Sequence, residues 1–284
     1  MDAPIISILK ASGTRTPFSA SKLHKSLQRS GASDAAIQSV IDDVQKQLYN
    51  GIPTSKIYRL AFDILKDHSK HVASRYKLKQ AIMELGPSGF PFERYVAEIL
   101  KYHGFQVQVD VILKGHCVNH EVDVVAEKGA ERLMIECKYH NSTRIICDVK
   151  IPLYIQARFA DVQKGQADST DNTVPFSQGW VVTNTKFSED AIQYGLCMGL
   201  HLVGWNFPEN GSLRYQIDQA GLYPLTCLIS LSHTEKQQLL DNKVILCREI
   251  RDNKQLLLDA GISPNRIETI QQEARILCEE KVAI

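Results

Sequence analysis

One stretch near the middle of the chain, from His120 to Lys138, constrains the fold more than any other. It contains two short apolar runs, residues 122–125 and 133–135, separated by a polar turn that includes Gly129. Two β-prone runs joined by a glycine-bearing polar turn predict a β-hairpin. Charged side chains stand at the ends of this hairpin, where apolar residues would otherwise be expected.

Three of these charged side chains are predicted to meet on one face. Side chains of a strand alternate between faces, so Glu136 and Lys138 point the same way, and Asp123 can meet them across the ladder. Unpaired buried charge is costly, so such a cluster indicates a metal ion or chemistry. The two carboxylates and the Cys137 carbonyl oxygen would suit a hard divalent cation such as Mg²⁺. On spacing alone, a surface hairpin with an ordinary salt bridge explains the same residues equally well.

The order of Asp123, a hairpin turn and an apolar strand ending in Glu136, Cys137 and Lys138 resembles a known catalytic signature. It is that of the PD-(D/E)XK nuclease superfamily, in particular the Mrr-like restriction endonuclease branch. The resemblance implies that Asp123 and Glu136 hold the metal. It also implies that Lys138 orients or activates the attacking water.

A further acidic residue, Glu93, lies near the start of a helix predicted from Phe90 to His103. In Mrr-like and resolvase-like nucleases a helix with this Gly-x-x-Phe-Glu pattern, here beginning at Gly89, adds an acid to the site. A glutamate at a helix start is also favoured by the helix dipole alone, so both interpretations stay open.

The elements predicted for residues 86–222 alternate between strands and helices. Their order predicts a protein of the α/β class, with a restriction-endonuclease-like mixed sheet flanked by helices. On the helix that follows the hairpin, Gln156 and Arg158 could reach a phosphate, although exposed polar positions on helices are usually solvated. His120 fits a structural role better than a catalytic one.

The first 85 residues predict a small, mostly helical module. Its motifs follow one another as Ile8-x-Lys10-x-x-Gly13, Phe18-x-x-x-Lys22-Leu23, Leu27-x-Arg29-x-Gly31, Gly51-Ile52-x-Thr54-Ser55-x-Ile57 and Ala73-x-Arg75-Tyr76. This order resembles an ATP-cone domain, the regulatory nucleotide-binding module of ribonucleotide reductases and of the repressor that controls them.

The resemblance to an ATP cone covers the whole module and implies bound ATP or dATP. It puts Lys10 and Lys22 near the phosphates and Thr54 near the nucleotide. Physically, the two lysines flank a turn and can form a polyphosphate cradle, although their spacing alone favours two solvated lysines. Ala11 stands where many family members carry a second basic residue, which leaves base selectivity open.

Composition and charge limit the class of protein. A chain of 284 residues with 44% hydrophobic content is long enough for two or three packed domains. Residues 1–85 carry a basic excess, which fits a nucleic-acid or polyphosphate partner, and residues 86–220 carry an acidic excess, which fits a metal site. The seven cysteines form no C-x-x-C pair and are predicted to be reduced thiols. The absence of a long apolar run and of a secretory leader predicts a cytoplasmic protein without a membrane partner.

Residues 223–284 predict an all-helical appendage. The turn at Ala260-Gly261-Ile262 weakly resembles that of helix-hairpin-helix DNA-binding proteins, although the expected second glycine is absent, and a role in dimerisation or packing fits at least as well. Its first long helix is predicted from Thr234 to Ile250, a second spans Gln255 to Asp259, and Ser263-Pro264 begins the last. The predicted domains are therefore a cone over 1–85, a nuclease over 86–222 and a helical region over 223–284, in a homo-oligomer.

Together these features predict a Mg²⁺-dependent endonuclease that hydrolyses DNA phosphodiester bonds and is regulated by ATP or dATP. The alternative is a nucleotide-sensing, DNA-binding regulatory protein whose nuclease core is inactive. The intact Asp123, Glu136 and Lys138 favour the enzyme. No P-loop motif is present, so nucleotide binding without hydrolysis is expected.

Overall fold

The computed structural model describes residues 6–168 and 173–279, which fall into two compact units. One unit contains the residues up to Ala81 together with those from Tyr223 onward, and the other is Ile82–Leu222. The division of the sequence into three domains stays a prediction. In the structure, the two ends of the chain pack together as one unit.

The amino-terminal part of the first unit is a small sheet covered by helices. Strand β1 (Ser7–Leu9) pairs antiparallel with β2 (Arg15–Pro17) and parallel with β3 (Ile52–Pro53). The helices of this part are α1 (Ala20–Gln28), α2 (Asp34–Lys46), α3 (Thr54–His68), α4 (Lys70–Tyr76) and α5 (Leu78–Met83). Each helix turns its apolar face inward to form the core. Leu27 of α1 and Leu65 of α3, for example, are fully buried.

The second unit is built on a mixed sheet flanked by helices, as predicted. Its elements are α6 (Phe90–Tyr102), β4 (Gln106–Lys114), β5 (Asn119–Lys128), β6 (Glu131–Lys138), β7 (Ile146–Cys147), α7 (Lys150–Ala167), β8 (Gln178–Thr183), β9 (Lys186–Phe187), α8 (Glu189–Cys197), β10 (His201–Val203) and α9 (Leu213–Ala220). The five strands of the main sheet are ordered β10-β8-β6-β5-β4. Strands β4, β5 and β6 are antiparallel neighbours, and β6, β8 and β10 run parallel.

The predicted hairpin is formed by β5 and β6 in the middle of this sheet. Lys128 pairs with Glu131 across a two-residue turn, in which Gly129 has a left-handed φ of 61° that suits glycine. Val124 pairs with Ile135, and both side chains are fully buried. Because β6 lies between β5 and β8, it is the central strand of the sheet. The charged residues at its carboxyl end therefore lie among the ends of the neighbouring strands.

The carboxy-terminal part of the first unit is helical. After a short 3₁₀ turn (Leu225–Cys227) come α10 (His233–Asp241), α11 (Cys247–Asp252), α12 (Lys254–Asp259) and α13 (Pro264–Glu279). The prediction of a single helix from Thr234 to Ile250 is wrong. Helix α10 ends at Asp241, and Lys243 takes a left-handed φ of 64° before α11 begins. Within the described ranges, no helix is long and apolar enough to cross a membrane.

Candidate active site

Three charged side chains of the hairpin converge at the end of β6. The antiparallel pairing of β5 with β6 brings Asp123 level with Glu136. Asp123 Oδ2 accepts a hydrogen bond of 2.6 Å from the backbone N–H of Cys137. Lys138 Nζ lies 2.5 Å from Glu136 Oε1. The side chains therefore meet as the sequence predicts, while their chemical roles stay predictions.

A second cation, Arg158 on α7, also binds Glu136. Its Nη1 lies 2.5 Å from Glu136 Oε2, and its Nη2 donates to the carbonyl oxygen of Glu121. Its guanidinium group also lies 5.3 Å from the ring centroid of the exposed Tyr154. Glu136 and Arg158 are both buried, so Arg158 neutralises a buried carboxylate and is not the solvated side chain that its position on a helix favours. Gln156 makes no such contact, and its Oε1 is buried without a partner among the described residues.

Glu93, in the first turn of α6, faces the same cluster. Burial raises the pKa of Glu93 to about 7, and the carboxylates of Asp123, Asp110 and Glu136 add to that shift. Burial likewise raises the pKa of Asp123 to about 6, and Glu136 adds to it, against an opposing hydrogen bond and two nearby cations. Neighbouring acids therefore raise the pKa values of both Glu93 and Asp123, and a divalent cation would offset their negative charge.

The oxygen donors of this cluster fit a hard cation better than zinc. The parts of the chain that the structure describes contain no group of three or more His, Cys, Asp or Glu side chains able to hold a metal. Mg²⁺ is usually bound by only one or two carboxylates and keeps several water ligands, so Asp123 and Glu136 supply enough protein ligands for it. Burial raises the pKa of the Cys137 thiol well above its ordinary value, which makes it a poor thiolate ligand.

Asp110 is an acid near the site that sequence reasoning missed. It lies on β4 at the level of Asp123, between two residues that pair regularly with β5. Its φ of 57° is left-handed, which is uncommon outside glycine but better tolerated by aspartate. No motif marks Asp110, and its carboxylate contributes to the raised pKa of Glu93.

His120 has a structural role, as its sequence context favours. His120 Nε2 lies 2.8 Å from Asp161 Oδ2, and Asp161 Oδ1 accepts a 2.9 Å hydrogen bond from the backbone N–H of Cys117. These hydrogen bonds, that from His120 foremost, hold the pKa of Asp161 well below its ordinary range. They tie α7, the helix that carries Arg158, to the turn between β4 and β5.

The predicted nucleotide residues lie at one edge of the small sheet. Lys10 directly follows β1, and Thr54 begins α3 directly after β3; because β1 and β3 are parallel, both come to the same sheet edge. Lys22 lies in the first turn of α1, and both lysines are exposed. Among the described residues no side chain caps the start of α3, whereas serines cap α1, α2 and α4. Its first backbone N–H groups are therefore open to an anion.

Comparison with known proteins divides the chain into three successive matches. Family models match an ATP cone domain over residues 6–82, a restriction endonuclease domain over 86–203 and an AF1548-like C-terminal domain over 223–278. Both resemblances recognised in the sequence are thus confirmed.

Two similar proteins are covered almost whole by this chain. An uncharacterised protein from Archaeoglobus fulgidus is 36% identical over 181 residues, which are 63% of this chain and 98% of that protein. The crystal structure of AF1548, a protein of unknown function, is similar with a TM-score of 0.55 and 35% identity, over 67% of this chain and 98% of that chain. About a third of this chain therefore lies outside each match.

Proposed function

We propose that this chain, which belongs to the AF1548-like family, is a Mg²⁺-dependent endonuclease that acts on DNA. The chain joins an ATP-cone domain to a restriction endonuclease domain and an AF1548-like C-terminal domain. It hydrolyses phosphodiester bonds and is regulated by ATP or dATP. The observation that carries the proposal is the meeting of Asp123, Glu136 and Lys138 at the end of β6.

Asp123 and Glu136 would hold the cation. When bound, Mg²⁺ supplies Lewis-acid stabilisation of the charge that builds on the phosphate oxygens during hydrolysis. The Lys138 ammonium, fixed beside Glu136, donates hydrogen bonds that orient the attacking water. Glu93 has a pKa of about 7, so it can take up a proton near neutral pH and assist this attack.

The cone supplies regulation. Lys10 and Lys22 would bind the phosphates, and Thr54 would contact the nucleotide where the uncapped start of α3 favours an anion. The protein is proposed to be a homo-oligomer whose assembly or activity responds to the bound nucleotide. Light scattering of the pure protein with and without ATP or dATP tests the oligomeric part of this proposal.

The test of the nuclease function is a cleavage assay with Lys138→Ala. The wild-type protein should cleave DNA in the presence of Mg²⁺, and ATP or dATP should change its rate. The variant should keep its fold by circular dichroism and lose cleavage by at least about 100-fold, the usual scale for a group that positions or activates the water. Single-stranded, duplex and branched DNA, together with RNA, would identify the substrate.

Lys114→Ala is the matched control, since Lys114 is an exposed lysine of the same domain at the end of β4. It should cleave at the wild-type rate. Wild-type cleavage by Lys138→Ala would overturn the assignment of this site.

One observation favours the alternative of a regulatory protein with an inactive core. Both carboxylate oxygens of Glu136 are engaged by cations, Lys138 on one and Arg158 on the other. Such pairing competes with binding of a metal ion. The same assay distinguishes the alternative, which predicts nucleotide-dependent DNA binding in gel shifts and no cleavage with any substrate.

A further inference from the structure

A cavity of about 360 Å³ lies within the first unit, away from the residues assigned to the nucleotide. The end of α3 and the start of α4 line it on one side, and α13 and the loop before α10 line it on the other. Its volume is at the small end of the range for ligand pockets. The cavity is therefore formed jointly by the ATP-cone domain and the C-terminal domain.

Two side chains of α13 hold the loop before α10. Glu273 accepts hydrogen bonds from the backbone N–H of Ile229 at 2.7 Å and from that of Ser230 at 2.9 Å. Arg266 Nη2 donates to the Ser230 carbonyl oxygen at 2.6 Å. By contrast, Ser230 Oγ is buried and has no partner among the described residues. A buried polar atom without a partner is costly, so this hydroxyl calls for a ligand group.

The charges around the cavity favour an anion. Lys66, Lys70 and His71 line it, and Glu273 is the acidic member of the lining. The Glu273 oxygens already accept three hydrogen bonds, the third from Ser74 Oγ at 2.9 Å. Neither Lys66 nor Lys70 has a carboxylate within ion-pair distance in the described ranges of the chain. Two lysines therefore face the cavity without a neutralising partner.

We propose that this cavity binds a small phosphate-bearing anion at a site separate from the nucleotide site of the cone. Phosphate oxygens accept hydrogen bonds from Lys66, Lys70 and Ser230 Oγ, and lysine is a common phosphate ligand. The apolar part of the ligand contacts Ile229 and Ile276.

The two sites are at opposite ends of α3. Thr54 begins this helix and Lys66 lies in its last turn, so the rise of the helix separates them by roughly 18 Å. A ligand in the cavity holds the cone helices to α13 and stabilises this unit by binding only its folded form.

The test is thermal unfolding of the full-length protein with inorganic pyrophosphate or AMP, in EDTA so that metal binding does not contribute. Wild-type protein should gain several degrees in the unfolding temperature of the first unit. The double variant Lys66→Ala/Lys70→Ala should bind the probe at least about ten-fold more weakly. Ser230→Ala should also weaken binding, yet leave the ligand-free protein as stable as before or more so, because it removes an unpaired buried hydroxyl.

Two further double variants make the result specific. Lys25→Ala/Lys254→Ala removes two exposed lysines from the same unit and should leave the response to the probe unchanged. Lys10→Ala/Lys22→Ala should abolish any response that arises in the cone and retain the response of the cavity. The proposal is overturned if Lys66→Ala/Lys70→Ala responds like wild type, or if Lys10→Ala/Lys22→Ala removes the whole effect of both probes.

Discussion

The crowded acids near Glu136 make the metal-free protein sensitive to pH. The pKa values of Glu93 and Asp123 are raised to about 7 and about 6, so the folded state binds their protons more tightly than the unfolded state does. Stability from these groups must then fall as the pH rises from about 4 to 7. In EDTA, Glu93→Gln should unfold at a higher temperature than wild type at pH 8 and at the same temperature at pH 4.

The control for this prediction is Glu131→Gln, which changes an exposed carboxylate at the hairpin turn. It should not alter the pH profile. A constant difference between Glu93→Gln and wild type across the whole range would mean that the pKa of Glu93 is not raised.

Arg158 should matter for stability because its partner is buried. Replacing it with methionine leaves Glu136 with Lys138 as its one remaining ion-pair partner among the described residues. Loss of one member of a buried ion pair typically costs about 3–5 kcal/mol, and we expect the lower end because Lys138 remains. Urea unfolding followed by intrinsic fluorescence measures the change. Arg144→Met, at an exposed position, should change stability little, and equal effects of the two substitutions would refute the role assigned to Arg158.

The residues of the site differ in how far sequence alone could locate them. Asp123, Glu136 and Lys138 follow from the two-residue period of strands and from a turn marked by glycine, both of which are local. Arg158 does not, because its contact with Glu136 depends on where α7 packs across the sheet. The position of Asp110 near the site depends on the register of β4 with β5 and on a left-handed backbone conformation, and the spacing of residues in the sequence indicates neither.

At the scale of elements, Asp161 connects α7 to the turn between β4 and β5. Asp161→Ala removes the acceptor of the backbone N–H of Cys117 and the partner of His120. Amide hydrogens around Cys117 should then exchange faster, which hydrogen-exchange mass spectrometry measures. Asp190→Ala is the control, because Asp190 is an exposed aspartate of the same unit in the first turn of α8. Unchanged exchange in Asp161→Ala would show that the turn is held by other contacts.

The break between α10 and α11 shows why one element was predicted wrongly. Apolar residues continue at helical spacing across it, and no glycine or proline marks a stop. Lys243 turns the chain, and Glu249 Oε2 accepts hydrogen bonds from the backbone N–H groups of Ile245 and Leu246. Leu246 also forms a β-bridge with Pro224. Pairing with a distant segment therefore overrides a periodic pattern, which local spacing cannot reveal.

At the scale of the whole molecule, the two ends of the chain share one compact unit. Glu273 on α13 accepts from Ser74 Oγ, Lys77 Nζ lies 3.3 Å from the Thr226 carbonyl oxygen, and Thr226 Oγ1 donates to the Ala81 carbonyl oxygen. Periodicity can indicate a helix but not the segment that the helix packs against, so the packing of the two chain ends could not be predicted from the sequence. The C-terminal domain is thus packed against the domain assigned to nucleotide binding.

The two compact units should unfold in two separate transitions. Bound nucleotide should raise the temperature of one of these transitions. A ligand that binds only the folded cone stabilises the unit that contains it, by about 2.7 kcal/mol at a concentration 100 times its Kd. In differential scanning calorimetry, ATP or dATP should therefore raise one transition of the wild-type protein. Lys10→Ala/Lys22→Ala should lose this shift, whereas Lys138→Ala, in the other unit, should retain it. Displacement of both transitions, or of neither, would contradict nucleotide binding confined to the first unit.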